Sequence, residues 1–128
     1  MQEFQVRTPQ RETFQDITDQ VRRAVQALGV TEGVVTVFSP HTTAGVTINE
    51  GADPDVVRDM TAHFRRMVPE HCDFRHLEGN SDAHIKTTMT GTSVQVIVSE
   101  GRPMLGTWQK IYLAEFDGPR TRTVWVQG

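Results

Sequence analysis

The sequence predicts an α+β fold: one domain over residues 1–128, mainly an antiparallel sheet or sandwich, with two helices. Three observations carry that expectation. Short runs are rich in β-branched residues, two stretches place apolar residues at helical spacing, and turn signals separate the runs. Phe4–Arg7 alternates apolar and polar side chains, as a half-buried strand does. Ile17, Val21, Ala24, Val25 and Leu28 then share one helical face, with Asp16 or Thr18 to cap the start and Gly29 to end it. Gly33–Phe38 (GVVTVF) reads as a strand, and Pro40 breaks it because proline has no N–H to donate. Gly45–Asn49 resumes strand character. Asp53-Pro54-Asp55 is a helix start: Asp53 caps, Pro54 suits the first helical position, and Asp55 complements the helix dipole. Val56, Val57, Met60, Phe64, Met67 and Val68 form the apolar stripe that follows, and Pro69 stops it. The second half is β-rich. Val94–Val98 is a strand, Glu100–Pro103 a turn, and Met104 opens a further run. Thr107–Phe116 follows, Asp117-Gly118-Pro119 turns, and Thr121–Gln127 is the last strand.

Composition narrows the function classes. The chain has 128 residues, 37% apolar, with 13 basic and 16 acidic residues for a net charge of −3. That is enough chain to bury a core. Neither sign of charge dominates, so bulk electrostatics imply no nucleic-acid partner. No apolar run approaches the ~20 residues of a membrane span. The residues near Glu3, Arg7 and Arg11 contain no apolar segment of the signal-peptide kind, so a cytoplasmic location is expected. The single cysteine, Cys72, excludes an intrachain disulfide framework and fits a reducing compartment. It is expected to be a small buried hydrophobe.

The chemistry concentrates in two polar stretches, Ser39–Gly45 (SPHTTAG) and His76–His84 (HLEGNSDAH). Each lies between apolar runs, where a rigid scaffold presents functional loops. His76 and His84 are eight positions apart across Gly79, Asn80 and Ser81. That matches neither helical nor zinc-finger spacing, so the pair joins His41 only if folding brings the loops together. Three neutral imidazoles with an open position suit a divalent metal, zinc above others, which would polarise a phosphoryl oxygen or activate water. The alternative is that each histidine is a hydrogen-bonded structural group, the reading favoured for His63 and His71. A rival zinc cluster of His71, Cys72 and His76 lacks a second cysteine. Thr42 and Thr43 bring hydroxyls beside His41 that grip a phosphate or bond their own backbone, and Lys86 adds a point charge. Glu50 offers a general base, a ligand or a partner that orients an imidazole. Trp108 stacks on a heteroaromatic ring or packs in the core, with Gln109 beside it to read a polar edge. Arg120 binds a phosphate or pairs with Asp117, and the pair is preferred.

In order along the chain stand Pro40-His41-Thr42-Thr43-Ala44, Ile48-Asn49-Glu50, Ala52-Asp53-Pro54-Asp55, Asn80, Ala83-His84-Ile85-Lys86, Leu105-Gly106-Thr107-Trp108-Gln109 and Glu115-Phe116-Asp117-Gly118-Pro119-Arg120. In these motifs the chain resembles the YjbQ family, also called secondary thiamine-phosphate synthase enzymes, from about Phe4 to Val126. Pro103 departs from the pattern, which has an aliphatic residue there. The resemblance implies a compact α+β fold with a sandwich-like core, a homotrimer, and an activity like thiamine phosphate synthase. That reaction joins a pyrimidine carried on diphosphate to a thiazole phosphate. The family's polar positions fall here on His41, Thr42, Thr43, Asn49, Glu50, His76, Asn80, His84, Lys86, Trp108 and Gln109. The expected catalytic set is His41, Glu50, His84 and Lys86. The expected substrate contacts are Thr42, Thr43, Asn49, Asn80, Trp108 and Gln109, and the expected metal ligands are His41, His76 and His84. A non-catalytic metal- or anion-binding module and a metal-dependent phosphoester hydrolase are the competing readings.

Overall fold

Eight strands and three helices follow one another along the chain in a computed structural model that describes residues 1–128. They are β1 (Gln2–Arg7), β2 (Thr13–Asp16), α1 (Thr18–Leu28), β3 (Gly33–Phe38), β4 (Ala44–Glu50), α2 (Pro54–Met67), α3 (Ser81–Thr90), β5 (Ser93–Ser99), β6 (Arg102–Pro103), β7 (Gln109–Glu115) and β8 (Thr121–Gln127). One sheet has the order β1-β8-β3-β5-β6 and the other β2-β7-β4. Every pairing is antiparallel. The expected α+β fold with an antiparallel sandwich is therefore what the chain forms.

Alternation along the strands builds the core. Val35, Val37, Val96, Val98, Val124 and Val126 from the larger sheet meet Ala44, Val46, Ile111 and Leu113 from the smaller one. Helix α1 adds Val21, Ala24 and Val25 to the same cluster. The Asp16 carboxylate holds the start of α1, accepting from Thr18 N at 2.9 Å and Thr18 Oγ1 at 2.6 Å. Gly29 ends the helix in the left-handed conformation, φ 72°. The opposite face of β7 presents Tyr112 and Ala114, which join Phe116, just past the strand, with Phe14 and Ala83 in a second cluster. Val57, Met60 and Phe64 of α2 lie over it. Asp53 caps α2 by accepting from Asp55 N at 2.9 Å, with Pro54 in the first turn. The α2 stripe buries no residue completely, and Met67 remains 46% exposed.

Four sequence expectations need correction. There are three helices, not two: the second polar stretch runs from a turn into α3, so His84 and Lys86 are helical. Its hidden face is Asp82, Ala83, Lys86 and Thr87, so no apolar stripe announced it. Strand β2 also went unread. The run from Met104 is not a strand, since β6 ends at Pro103 and β7 starts at Gln109. Pro103 is accommodated because β6 is an edge strand, where one N–H fewer costs little. Finally, Cys72 is exposed rather than buried, because the segment after α2 runs over the surface.

Candidate functional site

Three chain segments meet at one end of the smaller sheet. The β3–β4 loop brings Pro40, His41, Thr42 and Thr43. The segment entering α3, with its first turn, brings His76, Glu78, Asn80 and His84, and the β7–β8 turn with the start of β8 brings Asp117, Arg120 and Arg122. These eleven residues line a cavity of about 410 Å³, and all but Pro40 carry polar side chains. A larger cleft, about 590 Å³, borders Arg22, Glu100, Arg102 and Met104 elsewhere. None of the expected catalytic, substrate-contact or metal-ligand residues lines that cleft.

The floor of the cavity is a buried ion pair. Glu115 and Arg122 point inward from β7 and β8, in phase with Leu113 and Val124, and are 0% and 3% exposed. Arg122 binds Glu115 through Nε at 2.8 Å and through a second, shorter bond from its terminal nitrogen. Glu115 also accepts from Thr8 Oγ1 at 2.7 Å and Asp117 N at 3.0 Å. The pair is thus hydrogen-bonded on both sides, the condition for keeping charges out of water. Arg122 further donates to Thr43 Oγ1 at 2.8 Å. Guanidinium can only donate, so the Thr43 hydroxyl accepts here and keeps its own proton for another partner.

His41 is fixed by the backbone. Its Nε2 accepts from Thr123 N at 2.9 Å. A nitrogen that accepts carries no proton, so the neutral ring presents Nδ1–H. Burial first, and then the charge of Arg122, hold the His41 pKa below the ordinary imidazole value, against a smaller opposing pull from Glu115. His41 is therefore a neutral donor near pH 7. In this geometry the Nε2 lone pair is taken up by the Thr123 N–H. His76 and His84 face each other with ring centroids 5.5 Å apart and planes at 89°. The nearest carboxylate to His76 is Glu78, 3.9 Å away. No group of three or more His, Cys, Asp or Glu side chains is arranged to hold a metal ion.

Asn80 Nδ2 donates to Asp117 Oδ2 at 2.8 Å, and Arg120 donates to the same carboxylate oxygen at 3.0 Å. The preferred Arg120–Asp117 pair is thus present, and it stands on the cavity wall. Asn80 Oδ1 is buried without a donor, and Asn80 does not cap α3 with its side chain.

The remaining expected site residues lie elsewhere. Lys86 is fully buried, with Nζ 3.1 Å from Glu12 Oε1 and 2.9 Å from Asp82 Oδ2, and lines no part of the cavity. Arg11 grips Asp82 as a fork, both bonds at 3.1 Å. Lys86 therefore pins α3 to the segment before β2. Glu50 sits at the far end of β4, six residues from Ala44, or about 20 Å along an extended strand. Its carboxylate accepts from Ala52 N at 2.7 Å. Asn49 bonds Glu50 N, Gln109 bonds Gly106 N, and Trp108 is 63% exposed, all at that same far end. The rival cluster is scattered as well: the His71 side chain is 92% exposed, and Cys72 is free.

Comparison with known proteins follows the geometry. The family described as "UPF0047 protein YjbQ-like" matches residues 2–128. The chain belongs to the YjbQ/UPF0047 family. Among YjbQ/UPF0047 relatives, YugU of Bacillus subtilis is 50% identical over 125 residues, covering 97% of this chain and 95% of that one. MJ1081 of Methanocaldococcus jannaschii is 47% identical, covering 97% and 90%. A YjbQ/UPF0047 crystal structure from Clostridium acetobutylicum superposes with a TM-score of 0.96 at 50% identity, covering 99% of this chain and 98% of that one. TT1486 of Thermus thermophilus does so with 0.93 at 44%, with the same coverage.

Arg122 and Glu115 are the residues that sequence reasoning passed over. The signal was available: both are charged residues in the apolar phase of a strand, Arg122 with Val124 and Val126, Glu115 with Ile111 and Leu113.

Proposed function

We propose that the cavity holds the phosphoryl part of a small molecule, and that the protein is a transferase of the thiamine phosphate synthase type. The observation that carries this is the lining. His41 Nδ1–H, the hydroxyls of Thr42 and Thr43, the Arg120 guanidinium and two further imidazoles border one mainly polar cavity. Such donors suit an oxyanion, and fixed donors stabilise charge that develops on a departing diphosphate. In this reading Arg120, His76 and His84 stabilise the leaving group, and His41 and Thr43 position it. Their preset directions require little reorganisation during the reaction. A cytoplasmic location goes with phosphorylated substrates, and the homotrimer suggested by the family motifs is part of the same proposal.

The test is synthesis. Protein incubated with a pyrimidine carried on diphosphate and a thiazole phosphate yields thiamine phosphate by mass spectrometry. His84→Ala abolishes the product while melting stays within a few degrees of the parent. Tight binding of both substrates without product would overturn the transferase and leave a binding module. Steady release of inorganic phosphate from a phosphoester, lost on chelation, would replace it with a hydrolase.

A second reading rests on the facing imidazoles of His76 and His84. Two nitrogens alone make an incomplete site, so a divalent metal, zinc first, would need oxygens of the bound phosphoryl group to complete it. Calorimetric titration of zinc with and without phosphate tests this: binding only in the presence of phosphate supports it, and no binding in either case refutes it.

A further inference from the structure

His41 and Thr42 border more than one space. Besides the polar cavity they line a second hollow of about 300 Å³, whose other edges are Thr87, Thr88, Gly91 and Thr92. Helix α3 contributes to both: His84 lines the cavity, and Thr87 and Thr88 line the hollow. Residues three and four apart share one side of a helix, about 5.4 Å along its axis. The two spaces therefore adjoin along one side of α3, and both border the His41–Thr42 loop. Their chemistry differs. The cavity carries Glu78, Asp117, Arg120 and Arg122, and its surface is mostly nitrogen and oxygen. The hollow has no formally charged residue, and its surface is mostly carbon. Its polar groups are largely paired already. Thr88 Oγ1 donates to the His84 carbonyl at 3.0 Å, and the Gly91 and Thr92 carbonyls accept from Val46 N at 3.1 Å and Ser39 N at 2.8 Å. Its one titratable group, His41, is the neutral imidazole described above.

We infer that the two spaces form one groove for a phosphate monoester with an uncharged organic body, the phosphoryl group in the polar cavity and the body in the hollow against Thr88 and Thr92. The inference rests on the phosphoryl reading above and goes further, because it names what the phosphoryl group is attached to and where that part lies. Inorganic phosphate fills the cavity and leaves the hollow to water. A monoester with an apolar body also displaces that water from carbon, which stabilises the complex. A body that carries its own charge would lose hydration in the hollow and meet no counter-charge there. His41 and Thr42, common to both spaces, stand where the two parts of the ligand join.

The experiment is calorimetric titration of the wild-type protein with three probes at neutral pH and constant ionic strength: inorganic phosphate, phenyl phosphate, and phosphoglycolate, whose body is a carboxylate. Phenyl phosphate is expected to bind about tenfold tighter than inorganic phosphate. Tenfold is about 1.4 kcal/mol, which at ~25 cal/mol per Å² takes only about 55 Å² of apolar surface removed from water. Phosphoglycolate should bind no tighter than inorganic phosphate. Thr88 is exposed on its helix, so a larger side chain there can fill the hollow. In Thr88→Trp the affinities for phenyl phosphate and inorganic phosphate should converge to within about threefold, through weaker binding of the ester alone. Thr88→Val keeps the volume and should keep the preference. Equal affinities for those two probes in the wild type would overturn the inference and leave the phosphoryl reading standing. So would phosphoglycolate binding as tightly as phenyl phosphate, or a preference that survives in Thr88→Trp. Failure of all three probes to bind would overturn the phosphoryl reading and the inference together. The wild-type comparison requires no variant to fold, and far-UV circular dichroism checks the two that are used.

Discussion

Replacing Lys86 by methionine tests whether this residue holds the fold or serves a ligand. Lys86 Nζ lies between Glu12 and Asp82 and is entirely shielded from water. Methionine fills nearly the same volume, so the perturbation is electrostatic. It leaves two buried carboxylates short of one cation. Removing one partner of a buried pair costs about 3–5 kcal/mol. The lower end applies here, because Asp82 keeps its Arg11 fork and Glu12 keeps one bond from Arg11 at 3.0 Å. An unfolding entropy of about 2.1 cal/mol/K per residue gives roughly 0.27 kcal/mol per degree for this chain, so a loss of ~3 kcal/mol lowers Tm by ~11 °C. Thermal unfolding followed by circular dichroism measures it, and urea titration gives the free energy separately. Lys86→Met/Glu12→Gln should recover part of the loss, since it removes the charge that the single variant strands. A Tm drop below about 4 °C would refute the reasoning. An unchanged Tm with phosphate binding lost would instead return Lys86 to the ligand role that the sequence suggested.

Other outcomes follow from the same geometry. Burial alone would raise the Asp82 pKa, but hydrogen bonds and charge from Arg11 and Lys86 outweigh it and hold the carboxyl below its ordinary value. Its folded pKa is thus the lower one, so its contribution to stability is complete above the unfolded carboxyl value and is lost as pH falls through the folded value. Denaturant titrations should show a steep loss below about pH 4, shallower in Arg11→Met. His41 should titrate below the ordinary imidazole value of about 6.5 when followed by NMR, with the proton of the neutral ring on Nδ1. Gly45→Ala should destabilise by about 2–3 kcal/mol in urea unfolding, because the new methyl overlaps the Gly91 carbonyl oxygen, a backbone atom that cannot swing aside. Light scattering should report a particle about three times the 14.4 kDa chain; a monomer would end the trimer proposal.

The elements with one apolar and one polar face were legible in the sequence. Asp53-Pro54-Asp55 started a helix where expected, Gly29 stopped one, and the valine-rich runs became β3, β5 and β8. Helix α3 was not legible, because its inward face carries Asp82 and Lys86 where a period-counting eye looks for leucine. Their i,i+4 spacing is the trace that such a face leaves, but the spacing is equally common on solvated helices. For the cavity, the sequence named His41, Thr42, Thr43, His76, Asn80 and His84, which line one space. It grouped Asn49, Glu50, Trp108 and Gln109 with them, because closeness along the chain and motif order carry no distance. A strand of seven residues then separates Ala44 from Glu50 by its whole length. Arg122 and Glu115 went unseen because each was judged alone; together they are two opposite charges in the apolar phase of strands joined by one turn.

Strands β1 and β8 lie side by side, with Gln2 opposite Val126 and Arg7 opposite Thr121. Thr8, just past β1, and Arg122, in β8, both reach Glu115 beneath the cavity. On the ribosome, a growing chain can pair β3 with β5 and cover part of its core, but the chamber has no floor until β8 has emerged. The polar chamber is therefore among the last features that biosynthesis completes in this molecule, and a nascent chain stalled before Arg122 would be folded in part with its chamber unfloored.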